Sequence, residues 1–84
     1  MSETRSSHFE RRDPTRNMNR FYRLTVTRDL FGAVLLVREW GRIGVSCQRR
    51  CEEKQSGAEA ARDAARIAAQ KLRRGYVPVR GEGR

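Results

Sequence analysis

The chain has 84 residues and a formal net charge of +9, from 19 Lys and Arg against 10 Asp and Glu. A chain this short buries only roughly 60 % of its unfolded surface, so it builds one thin core and has no room for a catalytic cavity with a supporting shell. Seventeen of the cations are Arg and two are Lys, a bias that suits bidentate phosphate binding, and no stretch approaches the ~20 apolar residues of a membrane span.

Residues 1–18 are polar, with Ser2, Ser6 and Ser7, mixed charges, Pro14 and a single aromatic up to Asn17, Phe9. Such a segment buries too little apolar area to offset its ordering entropy, so a disordered arm is expected. Its charges nearly cancel, which assigns the basic character to the folded remainder. No apolar region in it reads as a secretory signal.

From Arg20 to Arg28 the pattern alternates, Tyr22, Leu24 and Val26 on one side and Phe21, Arg23, Thr25 and Thr27 on the other, as in a half-buried strand. Asp29 to Gly32 reads as a turn. A second strand, Ala33 to Trp40, is apolar on both faces at its middle, as in a central strand covered on both sides or packed under a helix. Gly41 and Gly44 bracket the next turn. The third strand, about Ser46 to Gln55, is polar and reads as a solvated edge, with Cys47 and Cys51 as a weak inward face.

Ser56-Gly57-Ala58-Glu59 has the capping-box form, and a helix is expected from about Gly57 to Arg74. Ala61, Ala64, Ala65, Ala68 and Leu72 form its apolar stripe, with Ile67 at the margin. Gly75 ends the helix, Pro78 prevents its resumption, and residues 80–84 are a tail. The expected fold is α+β: a small antiparallel sheet of three or more strands, with one C-terminal helix packed across it.

Catalytic constellations fail on this chain. His8, its only histidine, falls in the expected arm, so neither a Ser/His/Asp set nor a base for Cys47 or Cys51 is at hand. Gly41-Arg42-Ile43-Gly44 lacks the phosphate-loop pattern, and Asp29 and Glu39 make no convincing acid/base pair. The two cysteines are too few for a zinc framework, and on a strand they sit about 13 Å apart, beyond disulfide reach. Reduced, partly buried thiols in a cytoplasmic protein are expected, with no enzyme activity, metal or cofactor.

Trp40-Gly41-Arg42 offers a stacking surface, a site of close backbone approach and a guanidinium fork in succession. Composition alone favours a hairpin anchor. Asn19-Arg20-Phe21-Tyr22, then Trp40-Gly41-Arg42-Ile43-Gly44, then Gln48, then Lys71-Leu72-Arg73-Arg74-Gly75-Tyr76, taken in order, resemble the WGR domain. That domain occurs in DNA-dependent poly(ADP-ribose) polymerases and in bacterial proteins that consist of little else. The resemblance covers residues 19–79 and implies a small antiparallel sheet with a helix across it.

It also implies DNA binding without base readout, with Trp40 packed on a sugar at a strand end and basic residues on backbone phosphates. Arg42 makes interdomain contacts in the family, Asn19 and Arg20 open the first strand beside the same surface, and Gln48 opens the third. The family tyrosine folds back on the core, so Gly75-Tyr76 is read as structural. Val45, Ser46 and Cys47 replace the basic residue and glycine that often precede the Gln. Arg49 and Arg50 complete the candidate nucleic-acid set of Trp40, Gly41, Arg42, Arg20, Asn19 and Gln48, with contacts from the arm as well. The expected partner is DNA, bound by a cytoplasmic or nucleoid-associated monomer, with no membrane or small-molecule substrate. The alternatives are an adaptor that offers Trp40 and Arg42 to an acidic protein, and RNA binding.

Overall fold

The computed structural model describes residues 4–79. Five strands form one antiparallel sheet: β1 (Arg5–Asp13), β2 (Met18–Arg28), β3 (Val34–Arg42), β4 (Gln48–Lys54) and β5 (Val77–Val79). Their spatial order is β4-β3-β2-β1-β5, and α1 (Gly57–Arg73) crosses one face. The α+β architecture expected from the sequence is the one observed.

The main correction lies at the N-terminus. Where a disordered arm was expected, β1 pairs with β2 over nine residues, from Arg5↔Val26 to Asp13↔Met18. Two things offset its polarity. Phe9 is buried opposite Tyr22 at the centre of the core. Ser6 and Thr25 hydroxyls meet across the strands at 3.1 Å, and those of Thr4 and Thr27 at 2.8 Å, the pairing by which polar strands hold one another. A 3-10 turn over Pro14–Arg16 reverses the chain, closed by Asn17 at φ 53° with its N–H on the Pro14 carbonyl. The expected tail, residues 80–84, lies outside the described residues.

Register sorts the two faces of the sheet. Phe9, Tyr22, Leu24 and Leu36 point at the helix and meet Ile67 and Tyr76, with Val26, Trp40, Ala64 and Ala68 packed around them. The apolar stripe of α1 is rotated from the one expected. Ala60 and Ile67 are the buried positions, whereas Ala61, Ala65 and Leu72 are exposed. Ile67 is the one bulky β-branched side chain on the helix, and centring it over the sheet turns the alanines on its flank outward. The cysteines are also corrected: Cys47 and Cys51 are both free and exposed, Cys51 because β4 turns Arg50, Glu52 and Lys54 toward the helix side instead, and Cys47 because it lies in the loop before β4.

The helix ends are built as the sequence implies. Ser56 Oγ accepts from the Glu59 N–H, and Glu59 reaches back to accept from the Gln55 N–H at 2.8 Å. At the other end Gly75, at φ +95°, donates to the Leu72 carbonyl and Tyr76 to that of Lys71. This paired closure is the Schellman motif, and it folds Tyr76 onto the core.

Carboxylates hold the start of the helix to the sheet. Lys54 Nζ lies 2.7 Å from Asp63 and 3.4 Å from Glu52, and Glu52 also meets Arg38 and Arg50 at 3.2 Å. The Lys54 hydrogen bond lowers the Asp63 pKa below its usual value. Burial raises that of Glu52, but Arg38, Lys54 and Arg50 outweigh it and the net shift is downward. Groups with depressed folded pKa values stabilise the fold above their unfolded values and stop doing so as pH falls through the folded ones. The melting temperature is therefore expected to hold from neutrality to about pH 5 and to drop below about pH 4, read by a thermal melt at each pH. A melt insensitive to acid would remove these contacts from the stability account.

Candidate nucleic-acid interface

The helix-facing side of the sheet is layered by register at the end where β2 begins and β3 finishes. Arg11, Arg20 and Arg42 stand directly opposite one another across β1, β2 and β3. The next layer is Phe9, Tyr22, Trp40 and Gln48, and beyond it Leu24, Arg38 and Arg50 line up across β2, β3 and β4. Rows of arginine thus flank an aromatic row. The last turn of α1 adds Lys71 and Arg74 above them, enclosing a cleft of about 680 Å³. Among the described residues no carboxylate lines it.

The opposite, helix-free face is organised differently. There His8 stacks on Phe21, accepts from Arg23 Nε at Nδ1, and lies 3.3 Å from Glu10 through Nε2. Arg23 also bonds Glu39, and Arg12 bonds Glu10. On that face Arg12 and Arg23 are matched by acids, whereas in the cleft Arg11 and Arg20 have no acidic partner among the described residues. Like charges set directly opposite one another destabilise a sheet, so the row costs stability that an incoming anion would return.

Lys71 is the most constrained of these cations. Its Nζ lies over the rings of Tyr22, at 4.2 Å, and Tyr76, at 5.5 Å, with no acidic partner among the described residues. Burial, then the Arg74 and Arg38 charges, lower its pKa below that of an ordinary lysine. The Nε of Arg38 is buried without a partner among the described residues.

The residues singled out from sequence separate into two groups. Arg20, Trp40, Gly41, Arg42 and Arg50 line the cleft. Gln48 is beside Trp40 in register, exposed at the sheet edge. Asn19 and Arg49 belong to the opposite face: the Asn19 carbonyl accepts from the Ile43 N–H, and Arg49 is exposed on β4 opposite Glu39.

Trp40 is both anchor and wall. Its indole stacks on Tyr22 with centroids 5.9 Å apart and 17° between the rings, and it packs on the core while facing the cleft. Arg42 has a structural duty that the sequence did not announce. Its guanidinium donates to the Asn17 carbonyl at 3.1 Å and to Asn17 Oδ1 at 3.2 Å, clamping the β1–β2 turn to the end of β3. Two of its five donors are thereby used.

Arg11, Arg38, Lys71 and Arg74 were missed as cleft residues. Arg11 was hidden in a segment read as an arm, although Ser7, Phe9 and Arg11 already alternate. Lys71 and Arg74 follow Ala60, Ala64 and Ile67 at helical spacing, a signal that becomes legible once the stripe is centred on Ile67.

The family model for the WGR domain matches residues 5–83. The uncharacterized protein y4dW of Sinorhizobium fredii is 39% identical over 71 residues, which cover 84% of this chain and 35% of that protein. The chain thus spans about a third of the length of that relative.

Proposed function

The chain belongs to the WGR domain family, a family of nucleic-acid-binding modules, and from there we propose that it binds DNA through backbone phosphates in the basic cleft. The observation that carries the reading is the row Arg11, Arg20 and Arg42, capped by Lys71 and Arg74, with no carboxylate among the described residues that line the cleft. Phosphate oxygens are the ligands that such a row takes, and none of its side chains projects from a helix shaped to enter the major groove. Base sequence is therefore not read. Trp40 closes one wall where a terminal sugar would pack against the indole, so a strand end is the preferred element. The module is non-catalytic and works at the nucleoid. The acidic-protein adaptor is the weaker reading, because the basic surface extends past Trp40 and Arg42 to Arg11, Arg20, Lys71 and Arg74.

Titration with blunt duplex, 5′-phosphorylated duplex and closed circular DNA, followed by Trp40 fluorescence at two salt concentrations, tests this. Each phosphate neutralised contributes a slope of about −0.9 in log affinity against log salt. With four or so contacts the slope is expected near about −4, and ends are expected to quench the indole more than circles do. Affinity independent of salt would reject the phosphate reading; equal quenching by ends and circles would reject the strand-end preference alone.

A further inference from the structure

β4 is the outermost strand of the sheet on its side, and its outer edge is unpaired among the described residues. The hydrogen bonds from Asp29 N–H to the Ala33 carbonyl and from Ile43 N–H to the Asn19 carbonyl bracket the β2–β3 ladder. In an antiparallel ladder the direction of the backbone groups alternates along each strand. The odd-numbered residues of β3 therefore bond β2 and the even-numbered ones bond β4. Carried through the register Trp40↔Gln48 to Val34↔Lys54, this leaves Arg49, Cys51 and Glu53 with their N–H and C=O groups directed outward. Neither proline nor glycine interrupts the strand. The edge is open to a further strand.

Charges normally blunt such an edge. Here they are mirrored. Arg49-Arg50-Cys51-Glu52-Glu53 reads arginine on one side of Cys51 and glutamate on the other. A two-fold axis at Cys51, perpendicular to the sheet, would set Arg50 opposite Glu52 of a second copy and Arg49 opposite its Glu53. Each pair occurs twice, on the same face of the joined sheet. Shifting the register by two residues either way, which keeps the outward groups paired, sets Arg50 or Glu52 opposite itself. One register alone is charge-matched. Arg49 and Glu53 are exposed and form no ion pair among the described residues, and they are about 13 Å apart on the strand, too far to satisfy each other.

We propose that the protein is a symmetric homodimer joined by antiparallel pairing of β4 with β4 of a second copy, centred on Cys51. This replaces the monomer expected from the sequence. The pair has one continuous ten-stranded sheet, with both helices and both basic clefts on the same side. The two Trp40 side chains would stand about 25 Å apart by strand and residue spacing.

Sedimentation equilibrium of the full chain, under reducing conditions at physiological salt, is the test. The wild type is expected at the mass of two chains. Arg49→Glu and Glu53→Arg are each expected to raise the dissociation constant about tenfold or more, because each sets like charges opposite one another twice. Combining Arg49→Glu with Glu53→Arg restores every pair with inverted sign and is expected to restore the dimer. A circular-dichroism melt of each variant separates lost association from lost fold. A short bis-maleimide is expected to join two copies of the wild type and of Cys47→Ser, but not of Cys51→Ser. A wild type at the mass of one chain at every concentration, or a dimer indifferent to the single reversals, overturns the proposal. Both outcomes are independent of the DNA titration.

Discussion

Gly41→Ala is expected to destabilise the protein by about 1–3 kcal/mol, the cost of forcing extra volume into a packed site. The reason is steric rather than conformational. Gly41 does not have a positive φ, but a Cβ built on it would overlap the Ser46 carbonyl group, 2.7 Å from its carbon, and stand 3.1 Å from the Cys47 Cα. Backbone occupies that space, so rotating a side chain cannot relieve the clash. The contact exists because the loop after β3 folds straight back: the Arg42 carbonyl accepts from the Val45 and Ser46 N–H groups, and the Arg42 N–H donates to Ser46 Oγ.

In a domain of this size each kcal/mol moves the melting temperature by about 4–8 °C, so the loss is easily read. Gly44→Ala is the control. Position 44 has open space around it but φ of +75°, and alanine there costs only the left-handed penalty of about 1–2 kcal/mol. If Gly41→Ala melts like the wild type, the loop is free to withdraw and the close approach is not a constraint.

Lys71→Met is expected to lower DNA affinity about tenfold while leaving the melting temperature unchanged or higher. The Lys71 ammonium lies over the Tyr22 and Tyr76 rings, and a methionine thioether in its place keeps an attraction to those aromatic rings without the charge. The charge is lost, and with it a cation that burial and the neighbouring Arg74 and Arg38 disfavour. A phosphate is what makes that charge favourable, so its removal is felt in binding, where about 1.4 kcal/mol is a factor of ten.

The pH dependence has a definite sign. A lysine with lowered pKa is charged below that pKa, so binding is complete there and weakens as alkaline pH passes through it. Over the same window the unfolded chain holds more protons than the folded one, so the stability of the free protein rises with pH. Lys71→Arg is expected to keep binding into the alkaline range, because a guanidinium does not titrate there. Isothermal titration at rising pH, paired with melts, separates the two curves. A Lys71→Met variant that melts well below the wild type would assign Lys71 to the core instead of the cleft.

The strands β2 and β3 were legible because alternation and a dense apolar run are local properties. The helix was legible because Ser56, Glu59 and Gly75 mark its ends at fixed offsets. β1 was not, since its single buried aromatic, Phe9, has no value until β2 supplies Tyr22 and a row of threonines. Half of the cleft was invisible for a related reason. Arg11, Arg20 and Arg42 meet only through the register of three strands, and the weak alternation of Ser7, Phe9 and Arg11 separates Arg11 from Arg12, which pairs with Glu10 on the other face, only once that segment is known to be a strand. Trp40-Gly41-Arg42 was recognisable as a unit, but its internal division of labour was not. The indole packs on Tyr22, the glycine admits Ser46, and the arginine holds Asn17.

The carboxylates that fasten α1 to β4, together with Asp29 in the β2–β3 turn, stand at the end of the sheet remote from the cleft. Unmatched positive charge gathers at the cleft end of strands about 35 Å long, whereas at the other end Arg5, Arg28 and Lys54 stand among the carboxylates and offset them. The free chain therefore has a permanent electric moment along the strands, and the field of a polyanion turns it cleft-first before any contact forms. Encounters in the wrong orientation become rarer, and the association rate rises and becomes sensitive to ionic strength, because salt shortens the Debye length within which the steering acts. Two copies joined antiparallel oppose their moments, so the pair arrives without a preferred heading along the sheet. Stopped-flow association rates at rising protein concentration would register the passage from one regime to the other.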